Sequence, residues 1–272
     1  LYDEATDKTH TLDEWPLRSD YRLYVRRDVA ARMWDRGTLG PESLVDAEPY
    51  DRHVELTARQ VVGTQGPGQG ELQSPRGISV GDEGSVYVAD AGNHRIQVFS
   101  AEGEFQDSWG RRSIAEEESG SPRGYNEPWD VGIGPDGFAY VADTWNHRIQ
   151  KVDTDGTPIS AWGIFGEARP DDREDGAGLF YGPRGVAVGG VSESGEPLVF
   201  AADTGNKRIQ VFEVDGSFAY QWGGGGVGEG NLDEPVGVAF GPDGNLYVAD
   251  TWNRRVQVFD PSGAYVREWP IL

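Results

Sequence analysis

The sequence predicts an all-β fold assembled from four copies of one four-stranded unit. Three observations support this: the chain repeats itself, short β-rich runs alternate with glycine-bearing turns, and the composition includes 39 Gly, 9 Trp and 11 Tyr. Such a pattern is typical of short strands joined by tight turns. The copies align on one aspartate each, at Asp90, Asp143, Asp203 and Asp250.

Each copy contains the same elements in the same order. A first β-rich run opens near a proline, as in SPRGISV and EPWDVGI, and a glycine turn such as GPDG follows it. The second run ends in the aspartate (VYVAD, AYVAD), and after a four-residue turn the third run is RIQVF or a close variant. Their alternation and their β-branched and aromatic residues indicate strands. A fourth run closes each copy with a tryptophan, at Trp109, Trp162, Trp222 and Trp269.

Four-stranded units of about 40–50 residues are typical of propeller blades, because a unit this small buries its faces only by stacking on its neighbours. The phrase ADxxNxRIQVF, with Asn-His-Arg at 93–95 and 146–148, resembles the NHL repeat family over residues 74–272. The resemblance implies a β-propeller, usually six-bladed, used mostly as a binding platform and in a minority of relatives as an enzyme. We predict four clear blades and five or six in total.

The polar residues that recur in the copies are predicted to be structural. Lys207 and Arg254 replace His94 and His147 at equivalent positions, and a catalytic imidazole would not be exchanged in this way. We expect the aspartate to accept a backbone N–H, the asparagine to adopt the left-handed conformation, and the arginine to make an ion pair or carbonyl contact. The closing tryptophans are expected to pack between blades. The structural set is Asp90, Asp143, Asp203, Asp250, Asn93, Asn206, Arg95, Arg148, Arg208 and Arg255.

Function is expected where the copies differ. The turn after the second strand and the connector to the next blade share one mouth of a propeller, and the long connectors are 111–126, 164–181 and 224–233. The four turns contain AG, TW, TG and TW, so tryptophan stands in two copies where glycine stands in the others. An exposed indole can anchor a partner residue or stack on a sugar, although it can also simply cover its connector. The candidate contact residues are Trp145, Trp252, Asn146 and Asn253.

The charge balance restricts the partners. With 46 acidic and 24 basic residues, the net charge of −22 disfavours nucleic acid and anionic membranes. No cysteine is present, and no apolar run is long enough to span a bilayer. No cofactor is expected. Acidic connector residues are weak candidates for calcium, but they lack a spaced ligand pattern and a solvated loop is the simpler interpretation. They are Asp171, Asp172, Glu174 and Asp175.

The N-terminal region is the least regular part of the chain. Residues 58–64 and the segment after them parallel 219–237, which indicates the last strand of an earlier blade. We therefore predict a propeller over 58–272 and an irregular segment over 1–57 that completes the ring or links to an upstream domain, with a possible short helix at 26–37. The segment DEWPLRSDYRLYVRRDVAARMWDRG is similar to the stretch joining the membrane portion to a soluble tail in multispanning glycosyltransferases. That similarity implies an extracytoplasmic location, tethered through a membrane region upstream.

Three functions remain open from the sequence. The favoured one is non-enzymatic recognition of a protein or carbohydrate partner through the loop-rich mouth, as the sensing or docking part of a larger membrane-associated protein. A propeller hydrolase or lyase is the alternative, which requires carboxylates or a metal at the axis. A purely structural subunit of an assembly is the third, and it predicts that neither mouth binds a ligand.

Overall fold

The computed structural model describes residues 2–3, 8–9, 61–81, 84–114, 124–168, 176–192 and 194–270. Strands β1 (Tyr2–Asp3) and β2 (Lys8–Thr9) pair antiparallel and belong to a unit of their own. The predicted helix at 26–37, the boundary between residues 57 and 58, and any blade beyond the four clear copies lie outside the described residues.

Each of the four copies forms one antiparallel sheet whose strands lie in chain order, which confirms the predicted all-β propeller fold. Blade 1 consists of β5 (Pro75–Val80), β6 (Val86–Asp90), β7 (Arg95–Phe99) and β8 (Phe105–Trp109). Blade 2 consists of β9 (Pro128–Ile133), β10 (Phe138–Asp143), β11 (Arg148–Asp153) and β12 (Pro158–Trp162). Blade 3 consists of β15 (Gly185–Gly189), β16 (Leu198–Asp203), β17 (Arg208–Glu213) and β18 (Phe218–Gly223). Blade 4 consists of β19 (Pro235–Phe240), β20 (Leu246–Asp250), β21 (Arg255–Phe259) and β22 (Tyr265–Pro270).

The beginning and the end of each connector pair with each other in parallel. Strand β3 (Thr64–Gln65) pairs with β4 (Glu71–Leu72), and β13 (Ile164–Phe165) pairs with β14 (Leu179–Phe180). Single parallel bridges do the same between Arg112 and Tyr125 and between Gly225 and Leu232. The connector that enters blade 1 is therefore closed in the same way as the later ones, as its sequence similarity to the last connector indicates.

The blades pack around a common axis through their first strands. Strand β5 contacts β9, β9 contacts β15, and β15 contacts β19. The large apolar side chains between neighbouring sheets are fully buried, including Tyr140, Phe200 and Phe212. Burial of side chains of this size stabilises a fold by about 1.5–3 kcal/mol each, so stacking of the blades supplies the core that no blade has alone.

The closing tryptophans of blades 1, 2 and 3 pack against the next blade, as predicted, whereas Trp269 packs on Tyr247 of its own blade. A Cβ atom added to Gly156 of blade 2 would lie 2.4 Å from the Trp109 side chain of blade 1. The same relation joins Trp162 to Gly216 and Trp222 to Gly263, with closest distances of 2.9 and 2.7 Å. These glycines have φ of 82°, 91° and 84° in the turn before the fourth strand. Glycine is needed there both for the left-handed turn and for the indole of the preceding blade.

Candidate functional site at the turn mouth

The second strands end, and the first strands begin, at one mouth of the propeller. In blade 2, Asp143 pairs both with Arg148 at the start of the third strand and with Pro128 at the start of the first. The connectors enter at the same end. We call this end the turn mouth, defined by the turns at 91–94, 144–147, 204–207 and 251–254 and by the connectors.

A network centred on the recurring aspartate lies beneath the turn mouth in every blade. In blade 3, Asp203 is fully buried and its Oδ1 accepts the backbone N–H of Tyr181 at 2.8 Å. Its Oδ2 accepts from Asn206 Nδ2 at 2.9 Å, Arg208 Nε at 2.8 Å and Gln210 Nε2 at 3.0 Å. Burial raises the pKa of Asp203, and the ion pair with Arg208 works against that rise. Corresponding bonds surround Asp90, Asp143 and Asp250.

The arginine and glutamine of each network also hold the connector that enters their blade. Arg208 Nη2 donates to the carbonyls of Gly176 at 2.8 Å and Leu179 at 2.7 Å, and Gln210 Nε2 donates to Leu179 at 2.8 Å. Buried hydrogen bonds from a charged donor are among the stronger ones in proteins. The network therefore fixes loops as well as strands. The equivalent arginines, which also donate to their connectors, are Arg95, Arg148 and Arg255.

The prediction that the asparagine is left-handed is wrong, because the left-handed residue is the one that follows it. The asparagine lies within the turn and contributes its side chain to the aspartate, as Asn93 does at 2.8 Å. The following residue is the left-handed one, because the chain must reverse there to begin the third strand. These residues are His94, His147, Lys207 and Arg254, with φ of 56°, 54°, 57° and 51°.

The two histidines of these turns connect neighbouring blades. His94 Nδ1 accepts the backbone N–H of Glu127 at 3.0 Å, and His147 Nδ1 accepts that of Gly182 at 3.1 Å. Burial lowers the pKa of His94, with Glu127 working against this, and a neutral ring is the form that can accept at Nδ1. Both imidazoles therefore have a structural role that explains their presence.

Asn146 and Asn253, expected at the contact surface, use their amide nitrogens inside the protein. Asn146 Nδ2 donates to Asp143 at 2.8 Å and to the Ser113 carbonyl at 3.0 Å, and the side chain is buried. Asn253 Nδ2 donates to Asp250 at 2.9 Å and to a connector carbonyl at 2.8 Å. Because these bonds repeat those of the other blades, we assign both residues to the scaffold.

The two tryptophans of the turns are exposed and are held by glutamates. Trp145 and Trp252 are 41% and 68% exposed. Their Nε1 atoms donate to Glu127 Oε2 at 3.2 Å and Glu234 Oε2 at 2.8 Å. Both glutamates precede the proline that opens the first strand and have φ of 50° and 46°. The sister blades have Ser74 with Gly92, and Gly182 with Gly205, at the same two places.

Tryptophan and glutamate thus occur together, and only in blades 2 and 4 of the four. The equivalent residues Ser74 and Gly182 are also left-handed, with φ of 48° and 61°, so the turn imposes this conformation in all four blades. In blades 2 and 4 the glutamate side chain orients an indole whose ring remains in solvent. The Trp–Glu pair is a local addition to a blade that folds without it.

An exposed aromatic patch surrounds Trp145 and extends over the connector between blades 2 and 3. Ile164, Phe165 and Tyr181 are 66%, 55% and 39% exposed. Ring centroids lie 4.8 Å apart for His147 and Phe165, 5.5 Å for Phe165 and Tyr181, and 6.3 Å for Trp145 and His147. A contiguous exposed apolar surface of this kind commonly marks an interaction site. We call these five residues the aromatic patch.

Sequence reasoning missed most of this patch, although a signal was present. The dipeptide Ile164-Phe165 follows Trp-Gly where the connectors after blades 1 and 3 have Arg-Arg and Gly-Gly. An apolar dipeptide at this place in an otherwise polar connector indicates an exposed apolar surface. Tyr181 joins it only through the parallel pairing of β13 and β14, which is not visible in sequence.

The first strands present a second unpredicted cluster near the axis. The Trp129 ring carries the guanidinium groups of Arg76 and Arg184, whose Cζ atoms lie 4.3 and 4.2 Å from the ring centroid. The next residue, Asp130, replaces the glycine of the other three copies. Its Oδ2 accepts the Val186 N–H at 3.0 Å, and burial raises its pKa to about 7 against the lowering effect of backbone donors. It is the only acid within the four first strands.

The enzymatic alternative depends on carboxylates or a metal at the axis. A hydrolytic pair needs two carboxylates facing each other, whereas the first strands contribute Asp130 alone. No cluster of three or more potential metal ligands occurs among the described residues. The calcium candidates Asp171, Asp172, Glu174 and Asp175 lie outside them. Within those same residues, no helix is long and apolar enough to cross a membrane.

The four sheets and their repeated aspartate network define a β-propeller. The family model described as NHL repeat matches residues 72–99, 125–152 and 232–259, which fall in blades 1, 2 and 4. Blade 3 has the same strands and the same aspartate network without a match of its own. NHL repeats are therefore present in blades 1, 2 and 4 of a four-bladed propeller region, as the sequence resemblance predicted.

Two curated relatives align with most of the propeller. The chain is 22% identical over 219 residues to the probable peptidyl-alpha-hydroxyglycine alpha-amidating lyase pgal-1 of Caenorhabditis elegans, covering 77% of this chain and 54% of that protein. It is 23% identical over 196 residues to Protein brain tumor of Drosophila melanogaster, covering 72% of this chain and 16% of that protein. The chain thus spans about half the length of the first relative and a small part of the second.

The chain also matches a shorter part of one further protein and superposes on two solved structures. The E3 ubiquitin-protein ligase TRIM71 of Rattus norvegicus is 37% identical over 87 residues, which is 26% of this chain and 10% of that one. The Streptogramin B lyase structure superposes with a TM-score of 0.48 at 15% identity, covering 76% of this chain and 57% of that one. Kuenenia stuttgartiensis hydrazine synthase gives a TM-score of 0.49 at 17% identity, covering 78% and 52%.

Proposed function

We propose that this propeller is a recognition module that binds a protein partner through the turn mouth, with Trp145, Trp252 and the aromatic patch as its main contacts. The observation that carries the proposal is the pairing of an exposed indole with a glutamate in two of four otherwise equivalent blades. Blade folding does not require it, since two sister blades form the same turn without either residue.

The chemistry of the surface suits a protein partner. Tryptophan and tyrosine are the residues most enriched among interface positions that dominate binding energy. The connector that presents Tyr181 is held by Arg208 and Gln210, whose side chains donate to the Leu179 carbonyl. Loops fixed on a rigid frame lose little conformational entropy on binding, which favours affinity. The relatives include a probable amidating lyase and an E3 ubiquitin-protein ligase, so the proposal rests on the surface and not on resemblance.

The proposal is tested by capturing partners on the wild-type chain and on a Trp145→Ala/Trp252→Ala variant, with quantitative mass spectrometry of the bound proteins. The matched control is Ile159→Ala/Phe218→Ala, which removes two side chains 52% and 38% exposed near the opposite mouth. We expect a partner held by the wild type and the control to be depleted at least tenfold on the tryptophan variant, as for loss of about 1.4 kcal/mol or more.

Two results would reject this proposal. Equal capture by all three proteins would place the binding surface elsewhere. Loss on the control variant with retention on the tryptophan variant would assign recognition to the opposite mouth. A glycan array probed with the same three proteins provides a separate test, because exposed indoles also stack on sugar rings. Saturable binding there that depends on the two tryptophans would replace a protein partner by a carbohydrate one.

We further propose that recognition takes place outside the cytoplasm, from the similarity of the N-terminal segment to the stretch before a soluble tail. Protease protection of the intact parent protein in sealed cells tests this. Cleavage of the propeller by external protease supports the proposal, and full protection, with cleavage only after lysis, contradicts it.

A further inference from the structure

The turn mouth contains two like charges held on one aromatic ring. Arg76 opens blade 1 and Arg184 opens blade 3, and both guanidinium groups lie over Trp129 of the blade between them. Each of the three follows the proline at the start of its blade. The equivalent residue of blade 4 is Val236, so this arrangement is not a requirement of the repeat.

The donors of these guanidinium groups are largely unused by the described residues. The Arg76 side chain is exposed, and within the described residues its one recorded contact is with the Trp129 ring. The Nε of Arg184 is buried without an acceptor there, and its Nη1 lies 3.8 Å from Glu234 Oε2, beyond hydrogen-bond distance. Burial lowers the pKa of Arg184, Glu234 raises it, and the neighbouring charge of Arg76 lowers it again. Two cations are thus held together with few acceptors to satisfy them.

We infer that Arg76 and Arg184 form a subsite for one carboxylate of the partner segment, an Asp or Glu side chain or a C-terminal carboxylate. The guanidinium fork matches a carboxylate in geometry, and stacking on the indole orients it in advance. A single negative charge fits better than a polyanion, because Glu127 and Glu234 lie at the same mouth and the whole chain carries −22.

This inference rests on the proposed function, because it specifies the chemistry of the partner bound at the same mouth. Glu127 links the two parts of the surface, since it holds Trp145 and is separated from Trp129 only by Pro128. The expected ligand therefore has an apolar or aromatic side chain for the patch and an acidic group for the arginines.

The test titrates the folded chain with N-acetylphenylalanine and follows the indole N–H and arginine Nε–H resonances by NMR. N-acetylphenylalaninamide is the control ligand, because it keeps the ring and removes the carboxylate. We expect saturable shifts at Trp129 and Arg184 with the acid, and at least tenfold weaker binding of the amide. Arg184→Gln and Arg76→Gln should each weaken the acid at least fivefold. Arg267→Gln should leave binding unchanged, since that arginine stacks on Trp269 in blade 4, 5.5 Å from its centroid.

The inference is overturned if the acid produces no saturable shift, if the amide binds equally, or if inorganic phosphate binds more tightly than the acid. Arg184→Lys keeps the charge without the fork, and it should remain folded and bind with intermediate strength. Titration requires no natural partner, so its failure leaves partner capture through the tryptophans standing. Failure of capture with a successful titration would reject the proposed protein partner while keeping the subsite.

Discussion

The aspartate network and the Trp–Glu pairs lie within a few residues of each other in the sequence, yet they behave in opposite ways. The network occurs in all four described blades, is buried, and makes its bonds within the protein. The Trp–Glu pairs occur in two blades and keep their rings in solvent. In a repeat protein, polar residues are therefore weak evidence of a functional site, and a difference between equivalent positions is stronger evidence.

The largest expected loss of stability comes from disrupting the aspartate network. Asp203→Ala removes the acceptor of three side-chain donors and breaks the buried ion pair with Arg208. Loss of one member of a buried ion pair costs about 3–5 kcal/mol, so we expect the free energy of unfolding to fall by that amount in urea denaturation. Glu196→Ala, an exposed acid of the same blade, should leave it unchanged. A loss below about 1 kcal/mol would show that the network does not stabilise the fold.

Packing between blades provides the next test. Gly216→Ala and Gly195→Ala both place a Cβ in a left-handed turn, with φ of 91° and 86°. Only Gly216 faces a neighbour, since its added Cβ would lie 2.9 Å from Trp162. Overpacking typically costs about 1–3 kcal/mol, so thermal and urea unfolding should show Gly216→Ala less stable than Gly195→Ala by about that amount. Equal losses would mean that the indole moves aside without cost.

A third prediction concerns the acid at the axis. The pKa of Asp130 in the folded protein is about 7, above its ordinary value of 3.8. The folded state therefore binds this proton more tightly, and its stabilising contribution, complete below 3.8, is lost as pH rises through about 7. Asn resembles the protonated form and can still accept from Val186. The stability of Asp130→Asn relative to wild type should thus rise by about 3–4 kcal/mol between about pH 4 and pH 7.5 in urea denaturation. A constant difference across this range would contradict the shift.

The smallest effect on stability is expected from changes to the Trp–Glu pairs. Trp252→Ala removes a ring that is 68% exposed, and Glu234→Gln keeps an acceptor for the indole. Both variants should unfold within about 0.5–1 kcal/mol of wild type. Differential scanning calorimetry checks this. A loss of several kcal/mol in Trp252→Ala would mean that the ring is structural and that the comparison between the two regions is wrong.

The blades, most of the aspartate network and the turn mouth could be predicted from the sequence, because the residues that form them recur in each of the four copies. Comparing copies separates what every blade needs from what one blade adds, and it identified Trp145 and Trp252 as additions. It was not sufficient for the left-handed residue, since Asn93 and His94 are adjacent and both tolerate turns. Nor did it reveal Tyr181 beside Phe165, or Arg76 and Arg184 on Trp129. Those contacts join different strands and blades, so they depend on packing around the axis.

The most direct test of the account is hydrogen–deuterium exchange of the chain with and without its captured partner. We expect protection at the turns 144–147 and 251–254 and at both ends of the connector 164–181, with no change at 134–137 or 190–197 of the opposite mouth. Protection confined to the opposite mouth, or spread along the outer strands with the turn mouth unchanged, would contradict the claim that the unrepeated residues of the turn mouth recognise the partner.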